Sequence, residues 1–361
     1  MGMGKFGRFF LIFSTLVGGF AALPVVAADA VADFYKGKQI RLIIGLPAGG
    51  GYDLYGRALA RHMGKHLPGN PTFVPQNMEG AGSRVASNWL FNVAPKDGTA
   101  IGTVSQGTPL DQARSEQGVQ FDVAKFGWIG NPIVDNGVTL SWAPSGLATM
   151  TDVFSKGGLI CGGTGASTPG ITYPQILNNL TMAGIKIIAG YSGNPAITLA
   201  MERGEVNCLG GNTWASTKVQ SSTLVRDKKL SVLVQWGPEK DPNIAAYHGH
   251  DVPLIVEYAK SAADRKVLNL INSGVALGRP LLAPPGIPQD RLEALRRAFD
   301  ATMKDSEFLA DAEKQKMDIA PVAGEKLQAI AAEVAQTTPD VIARTNELIQ
   351  PKDVTDLKTA N

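Results

Sequence analysis

Two glycine-rich turns carry the residues best able to do chemistry in this chain. The first, PAGGGYD at residues 47–53, follows the apolar run IRLIIGL. The second, TGASTPG at residues 164–170, follows GLICGG. Pro47, Ala48, Gly49, Gly50 and Gly51 expose main chain with little or no side chain over it, so a ligand can approach closely. If each turn opens a helix, the first amides of that helix have no intrahelical acceptor and lie at the positive end of its dipole. Such a turn holds an anion without any basic side chain. Thr164, Ser167 and Thr168 add hydroxyl donors around Gly165 and Ala166. Asp53 reads first as the N-cap of the following helix, with contact to a ligand as its second role. Trp214, in GGNTWAS, is placed either to stack on a ligand or to fill a core.

The standard phosphate and nucleophile motifs do not fit these turns. A P-loop needs Lys-Ser/Thr after its last glycine, and Tyr52-Asp53 stands there instead. Neither residues 49–54 nor residues 163–168 complete G-x-G-x-x-G, so no dinucleotide is expected. Gly165-Ala166-Ser167-Thr168-Pro169 puts proline where a serine hydrolase needs its second glycine. A secreted hydrolase using the Ser167 turn, or Ser83, is the alternative reading. His62 and His66 have helical i,i+4 spacing that could hold a metal, but no third ligand accompanies them, and a solvated helix face is the simpler account. His248 and His250 fall in a Pro/Gly-rich stretch and read as surface. No cofactor, no metal and no catalytic constellation is expected, so the chain reads as a binding protein.

The elements that must position these turns repeat one rhythm: short apolar run, glycine-rich turn, amphipathic helix. Tyr55, Leu59, Met63 and Leu67 recur at helical spacing after the first turn, with Arg57, Arg61 and Lys65 on another face. TFVPQN and AIGTVS are further strands, and GLICGG, IKIIAGY, EVNCLGGN and LSVLVQWG repeat the scheme later. Alternation of this kind predicts parallel α/β sheets. The stretch from 237 to 255 reads as loop, GVALGRPLLAPPGIP regains β character, and two helices follow, the second over about 325–349. Short crossings near 131–142 and 270–278 predict two lobes, 29–135 plus 275–361 and 136–274, with a ligand cleft between them.

Lys5 and Arg8, the apolar run FFLIFSTLVGGFAALPVV and the small residues of VVAADA make residues 1–28 a signal peptide. The mature protein is then exported and periplasmic. Lys and Arg number 34 against 32 Asp and Glu, a balance that offers no basic face for nucleic acid. Cys161 and Cys208 each end a predicted strand. They pair if those strands are neighbours, and otherwise are buried thiols.

FYKGKQIRLIIGLPAGGGYD, NMEGAGSRVASN, APKDGTAIGTVS, YSGNPAITLAMERGEVNC and LLAPPGIPQDRLEALRRAF occur in an order that resembles the extracytoplasmic solute receptors of the tripartite tricarboxylate transporters, the TctC or Bug family. The resemblance implies a type II periplasmic-binding-protein fold of two α/β lobes that closes on a di- or tricarboxylate, an amino acid or an aromatic acid. It places Pro47 to Asp53, Ala81 and Gly82 with Ser83, Gln106 to Thr108, and Thr164 to Pro169 at the cleft, and Asn212 and Trp214 are added as candidates from their strand end. It further implies a monomer that delivers its ligand to inner-membrane transporter subunits or a sensor. Asn207 stands where the family commonly has Asp, and the second turn lacks the usual serine-rich pattern.

Overall fold

The computed structural model describes Met1 and residues 25–115, 117–164, 168–350 and 354–356. Most of the expected signal peptide, and Gly165, Ala166 and Ser167 of the second turn, therefore lie outside the described residues.

The chain enters through α1 (Val25–Tyr35), then alternates β1 (Gln39–Ile44), α2 (Gly51–His62), β2 (Thr72–Asn77), α3 (Arg84–Asn92), β3 (Ala100–Thr103), α4 (Thr108–Ala113) and β4 (Gly127–Asn131). It crosses to β5 (Gly137–Trp142), α5 (Met150–Lys156), β6 (Ile160–Gly162), α6 (Pro169–Thr181), β7 (Lys186–Ala189) and α7 (Asn194–Glu202). There follow β8 (Cys208–Thr213), α8 (Trp214–Gln220), α9 (Ser222–Arg226), β9 (Leu230–Trp236) and α10 (Pro242–His248). The long helix α11 (Ala262–Leu277) leads back to β10 (Leu281–Ala283), α12 (Gln289–Thr302), α13 (Ser306–Lys314), β11 (Val322–Ala323) and α14 (Gly324–Ala335). Last come α15 (Pro339–Leu348) and β12 (Val354–Asp356).

These strands make two sheets, ordered β11-β4-β10-β3-β1-β2 and β12-β7-β6-β8-β5-β9. Each is covered on both faces. In β1, Leu42 and Ile44 join the cluster containing Leu59, Ile101 and Phe299, while Ile43 faces Leu90, Phe126 and Leu282. Burial on both faces is why β1 reads as a continuous apolar run. The sheets are mixed, not wholly parallel as the alternation suggested. β10 runs antiparallel to β3 and β4, and β5 antiparallel to β8 and β9. Each is the first strand after a crossing, so it enters its sheet from the opposite end.

The lobe boundary differs from the expected one at the C-terminus. Val341 and Leu348 of α15 sit in the core of the second lobe with Leu177 and Ile187, and β12 pairs in parallel with β7, Val354 against Ile187. The strand covers the edge that β7 would otherwise expose. The chain thus crosses three times, at 132–136, 278–280 and 336–338. The helix expected over 325–349 is broken at Thr338, with Pro339 at the first helical position of α15. The stretch read as loop after 237 contains α10, started by the Asp241 cap and Pro242. GVAL at 274–277 is the end of α11, not a strand.

Cys161 and Cys208 stand in register on the parallel pair β6–β8 and are joined as a disulfide. Both are fully buried.

Candidate functional site

The first turn leaves β1 at Gly45 and exposes residues 47–51 before α2 begins. Gly49 has φ +80°, which is why glycine stands there; Gly50, at φ −82°, is in ordinary extended backbone. The N-cap is Gly50, not Asp53 as expected, and no side chain caps the helix at that position. Asp53 sits three residues on, buried, and reaches back. Its Oδ2 accepts from Gly49 N at 2.9 Å, and its Oδ1 accepts from Arg57 Nε at 2.9 Å and Asn77 Nδ2 at 3.0 Å. Burial raises the Asp53 carboxyl, but these donors outweigh it and hold the group below its ordinary range. Asp53 therefore shapes the turn and leaves the amides of the first helical turn of α2 free of side-chain caps.

Tyr52 is a tie. Its hydroxyl donates to Gly278 O at 3.1 Å and accepts from Gln106 N at 2.9 Å, linking the glycine turn to a crossing and to the end of β3. Ser83 is a second tie: its Oγ donates to Gly45 O at 2.9 Å and accepts from Ser105 N at 3.0 Å. Ala81, Gly82 and Ser83 all adopt positive φ, +45°, +64° and +81°. For the two non-glycine residues this costs about 1–2 kcal/mol each, which the buried Ser83 bonds help offset. A Cβ on Gly45 would fall 2.7 Å from Ser83 Oγ, so that glycine is there for room. Ser83 is fully buried and both sides of its hydroxyl are engaged, which removes it as a nucleophile. Thr108 is also buried, at the start of α4, instead of facing the cleft.

The second lobe brings the start of α6 onto the main chain of β8. A Cβ on Gly210 would collide with Gly170 O, and one on Gly211 would lie 2.5 Å from the Pro169 carbonyl. The pair Gly210-Gly211 thereby lets a helix N-terminus lie on a strand end. Thr168 is its N-cap, with Thr164 Oγ1 donating to Thr168 Oγ1 at 3.2 Å. In front of it lies a cavity of about 240 Å³, bounded by Gln106 from the first lobe and by Thr164, Thr168, Pro169, Gly170 and Tyr173 from the second. Asn194, Gly211, Asn212 and Thr213 complete its described walls, none of which is charged.

Of the expected residues, Gln106, Thr164, Thr168 and Asn212 line this cavity. The glycine turn stands beside it, joined through Tyr52 to Gln106. Tyr173, Asn194 and Thr213 were not anticipated. Tyr173 is stacked on Trp236 with ring centres 3.9 Å apart, and its place in the first turns of α6, three residues after Gly170, was the available signal. Trp214 is 2% exposed, packs on Tyr247 and belongs to the second-lobe core. It borders a different cavity, about 1050 Å³, between α8, α11 and α14 on another flank of the crossings. That cavity is lined by five carboxylates, Asp135, Glu239, Asp241, Asp318 and Glu333, against four lysines, a setting that does not favour an acid. Asn207, the departure from the family pattern, accepts from Ile160 N and donates to Gly158 O, so it braces the entry to β6.

The histidines are structural. His62 and His66 pair with Asp311 and Asp305, each at 2.9 Å. Ligand atoms of His62, Asp305 and Glu307 lie within 4.8 Å of one another, but the Lys65 ammonium bridges the two carboxylates where a cation would sit. His248, read as surface, is half-buried, and its Nε2 accepts from Val232 N at 2.9 Å. Burial first, then His250 and Lys228, push it down to about 4.

No family model matches the chain. Among curated relatives, a UPF0065 protein from Cupriavidus necator is 26% identical over 80% of this chain and 81% of its own length. Protein BugT of Bordetella pertussis is 35% identical over 26% of this chain and 28% of its own. A TctC solute-binding protein from Polaromonas, solved without ligand, superposes with TM-score 0.65 at 18% identity, over 87% of this chain and 99% of its own. MatC from Rhodopseudomonas palustris, solved with malate, gives TM-score 0.54 at 17% identity, covering 87% and 99%. Another protein of that organism, solved with adipate, gives 0.59 at 15%, covering 87% and 97%. The fold is thus the two-lobed periplasmic-binding-protein fold. Its structural neighbours include that TctC solute-binding protein and the periplasmic binding protein BugD, as the sequence motifs suggested.

Proposed function

We propose that this protein is an exported solute receptor that captures a small carboxylate between its lobes and presents it to inner-membrane transporter subunits of the tripartite tricarboxylate type. One observation carries the reading. A cavity whose described walls are uncharged lies at the N-terminus of α6, with that helix laid on the glycines of β8 and the uncapped start of α2 tied through Tyr52 to its Gln106 wall. Main-chain amides and two helix dipoles converge there on a space suited to a short acid. The ligand carboxylates are held by residues 49–53 and by the turn running from Thr164 to Gly170, with Gln106 and Asn212 orienting the body of the ligand. Malate and adipate in receptors of the same fold set the size class: a C4 to C6 dicarboxylate. Closure is a population shift driven by contacts to both lobes, and the receptor works as a monomer.

A thermal-shift series over mono-, di- and tricarboxylates tests this. For a micromolar ligand at 1 mM, linkage stabilises the folded protein by about 4 kcal/mol, a rise in Tm of roughly 10 °C. A panel in which no carboxylate moves Tm would end the proposal. The serine-hydrolase alternative has no support among the described residues, since Ser83 is sealed in its hydrogen bonds.

A further inference from the structure

We infer that Arg279 sets the charge selectivity of the cleft: its buried guanidinium, lying directly behind the glycine turn that opens α2, supplies the positive potential that the uncharged walls lack. The inference rests on the carboxylate reading above. Arg279 sits on the second crossing, anchored by its amide donating to Asn131 Oδ1 at 2.9 Å. Its side chain is 10% exposed, and its Nε has no partner. A Cβ built on Gly51 would lie 3.1 Å from Arg279 Nε and 3.2 Å from Nη2, so the guanidinium rests against the first residue of the helix. Gly51 is a glycine for this reason, and not for its backbone angles.

The cation is only partly neutralised. Its nearest carboxylate, Asp135, is 3.5 Å away at Oδ2, beyond a good hydrogen bond, and that oxygen has no other partner. Asp135 Oδ1 is taken by Ala215 N at 2.9 Å. The remaining neighbours are the faces of Tyr55 and Tyr52, at 4.9 and 5.8 Å, which accommodate a cation without cancelling its charge. Away from water, such a charge is weakly screened and acts through the glycine turn on whatever lies in front of it. It does not line the 240 Å³ cavity, so it selects for charge without gripping the ligand.

The test is calorimetric titration with adipate, its monomethyl ester and its dimethyl ester, ligands of charge −2, −1 and 0. Asp135→Asn keeps the acceptor for Ala215 N and unmasks the guanidinium, so adipate affinity rises several-fold. Arg279→Met lowers adipate affinity roughly tenfold or more, the size expected of a unit charge several ångströms away at an effective dielectric of about 20. It lowers monoester affinity less and diester affinity not at all. Arg279→Lys restores most of the adipate affinity. If Arg279→Met leaves Asp135 too exposed to fold, the double variant Arg279→Met/Asp135→Asn buries no charge and must still bind adipate more weakly than Asp135→Asn. A purely structural role would weaken all three ligands equally, and that result overturns the inference. Wild-type protein that binds adipate, with all variants matching it, overturns the inference alone. Wild-type protein that binds no carboxylate overturns the functional reading and this inference together.

Discussion

Replacing Cys161 and Cys208 by alanine tests how the second half of the cleft is held. The bridge closes a loop of 47 residues between adjacent parallel strands. Loop-closure entropy for that length is about 14 cal/mol/K, or about 4 kcal/mol at room temperature. For lobes of this size each kcal/mol moves Tm by roughly 2–4 °C, so the variant melts roughly 8–16 °C lower. Both strands shape the cleft: β6 runs straight into the turn at Gly163 and Thr164, and β8 carries Gly210 and Gly211, on which the start of α6 lies. The register of these turns is set by the bonds of the β6–β8 ladder, which the substitution leaves in place. The variant should therefore bind with nearly native affinity at a temperature well below its midpoint. Scanning calorimetry with and without a reductant gives the first number, and a thiol titration of the native, unreduced protein gives the redox state. Two free thiols in the native protein, or an unchanged Tm in the variant, would refute the reasoning.

Four further outcomes follow from the geometry. Gly49→Ala forces a Cβ onto a left-handed residue at about 1 kcal/mol and disturbs the amide that Asp53 holds, so ligand affinity falls several-fold in titration. Gly50→Ala, in extended backbone with its nearest outside atom at 3.5 Å, leaves the melting temperature within error of wild type. Tyr52→Phe strips the partners from Gln106 N and Gly278 O; urea denaturation should register a loss of about 2–4 kcal/mol. The His248 side chain, held neutral as an acceptor, titrates at about 4 in the folded protein against about 6.5 unfolded. The unfolded state binds the extra proton first, so this contribution to stability is complete above about pH 6.5 and is lost as pH falls toward 4. A Tm-versus-pH profile should flatten in that window for His248→Gln, whose amide oxygen can accept from Val232 N without titrating.

The turns were the most legible part of the chain because glycine answers to backbone demands that leave a local trace. PAGGGYD announced close approach, and one is found at Gly51; the glycines of CLGGNT, read only as strand and turn, make another at Gly210 and Gly211. What lies on the other side of each approach could not be read locally: a guanidinium brought from residue 279 in one case, a helix start in the other. Asp53 misled because a capping residue usually precedes its helix, whereas here glycine takes that place and the carboxylate reaches backward from the third position. Trp214 misled because a strand end faces both cleft and core, and packing against Tyr247 decided between them. The return of the chain to the second lobe rests on a strand of three residues, too short to leave a period, and on the choice of α15 between two apolar surfaces. By contrast Asp241-Pro242 and Thr338-Pro339 were helix-start signals in plain view, inside segments read respectively as loop and as continuous helix.

A crystal structure of the protein grown with adipate would examine the central claim most directly. The account predicts carboxylate oxygens within hydrogen-bond reach of main-chain amides in the 49–53 and 164–171 turns, with no lysine or arginine side chain touching the ligand. Adipate seated in the larger cavity beside Trp214, or clasped by the Arg279 guanidinium itself, would contradict it.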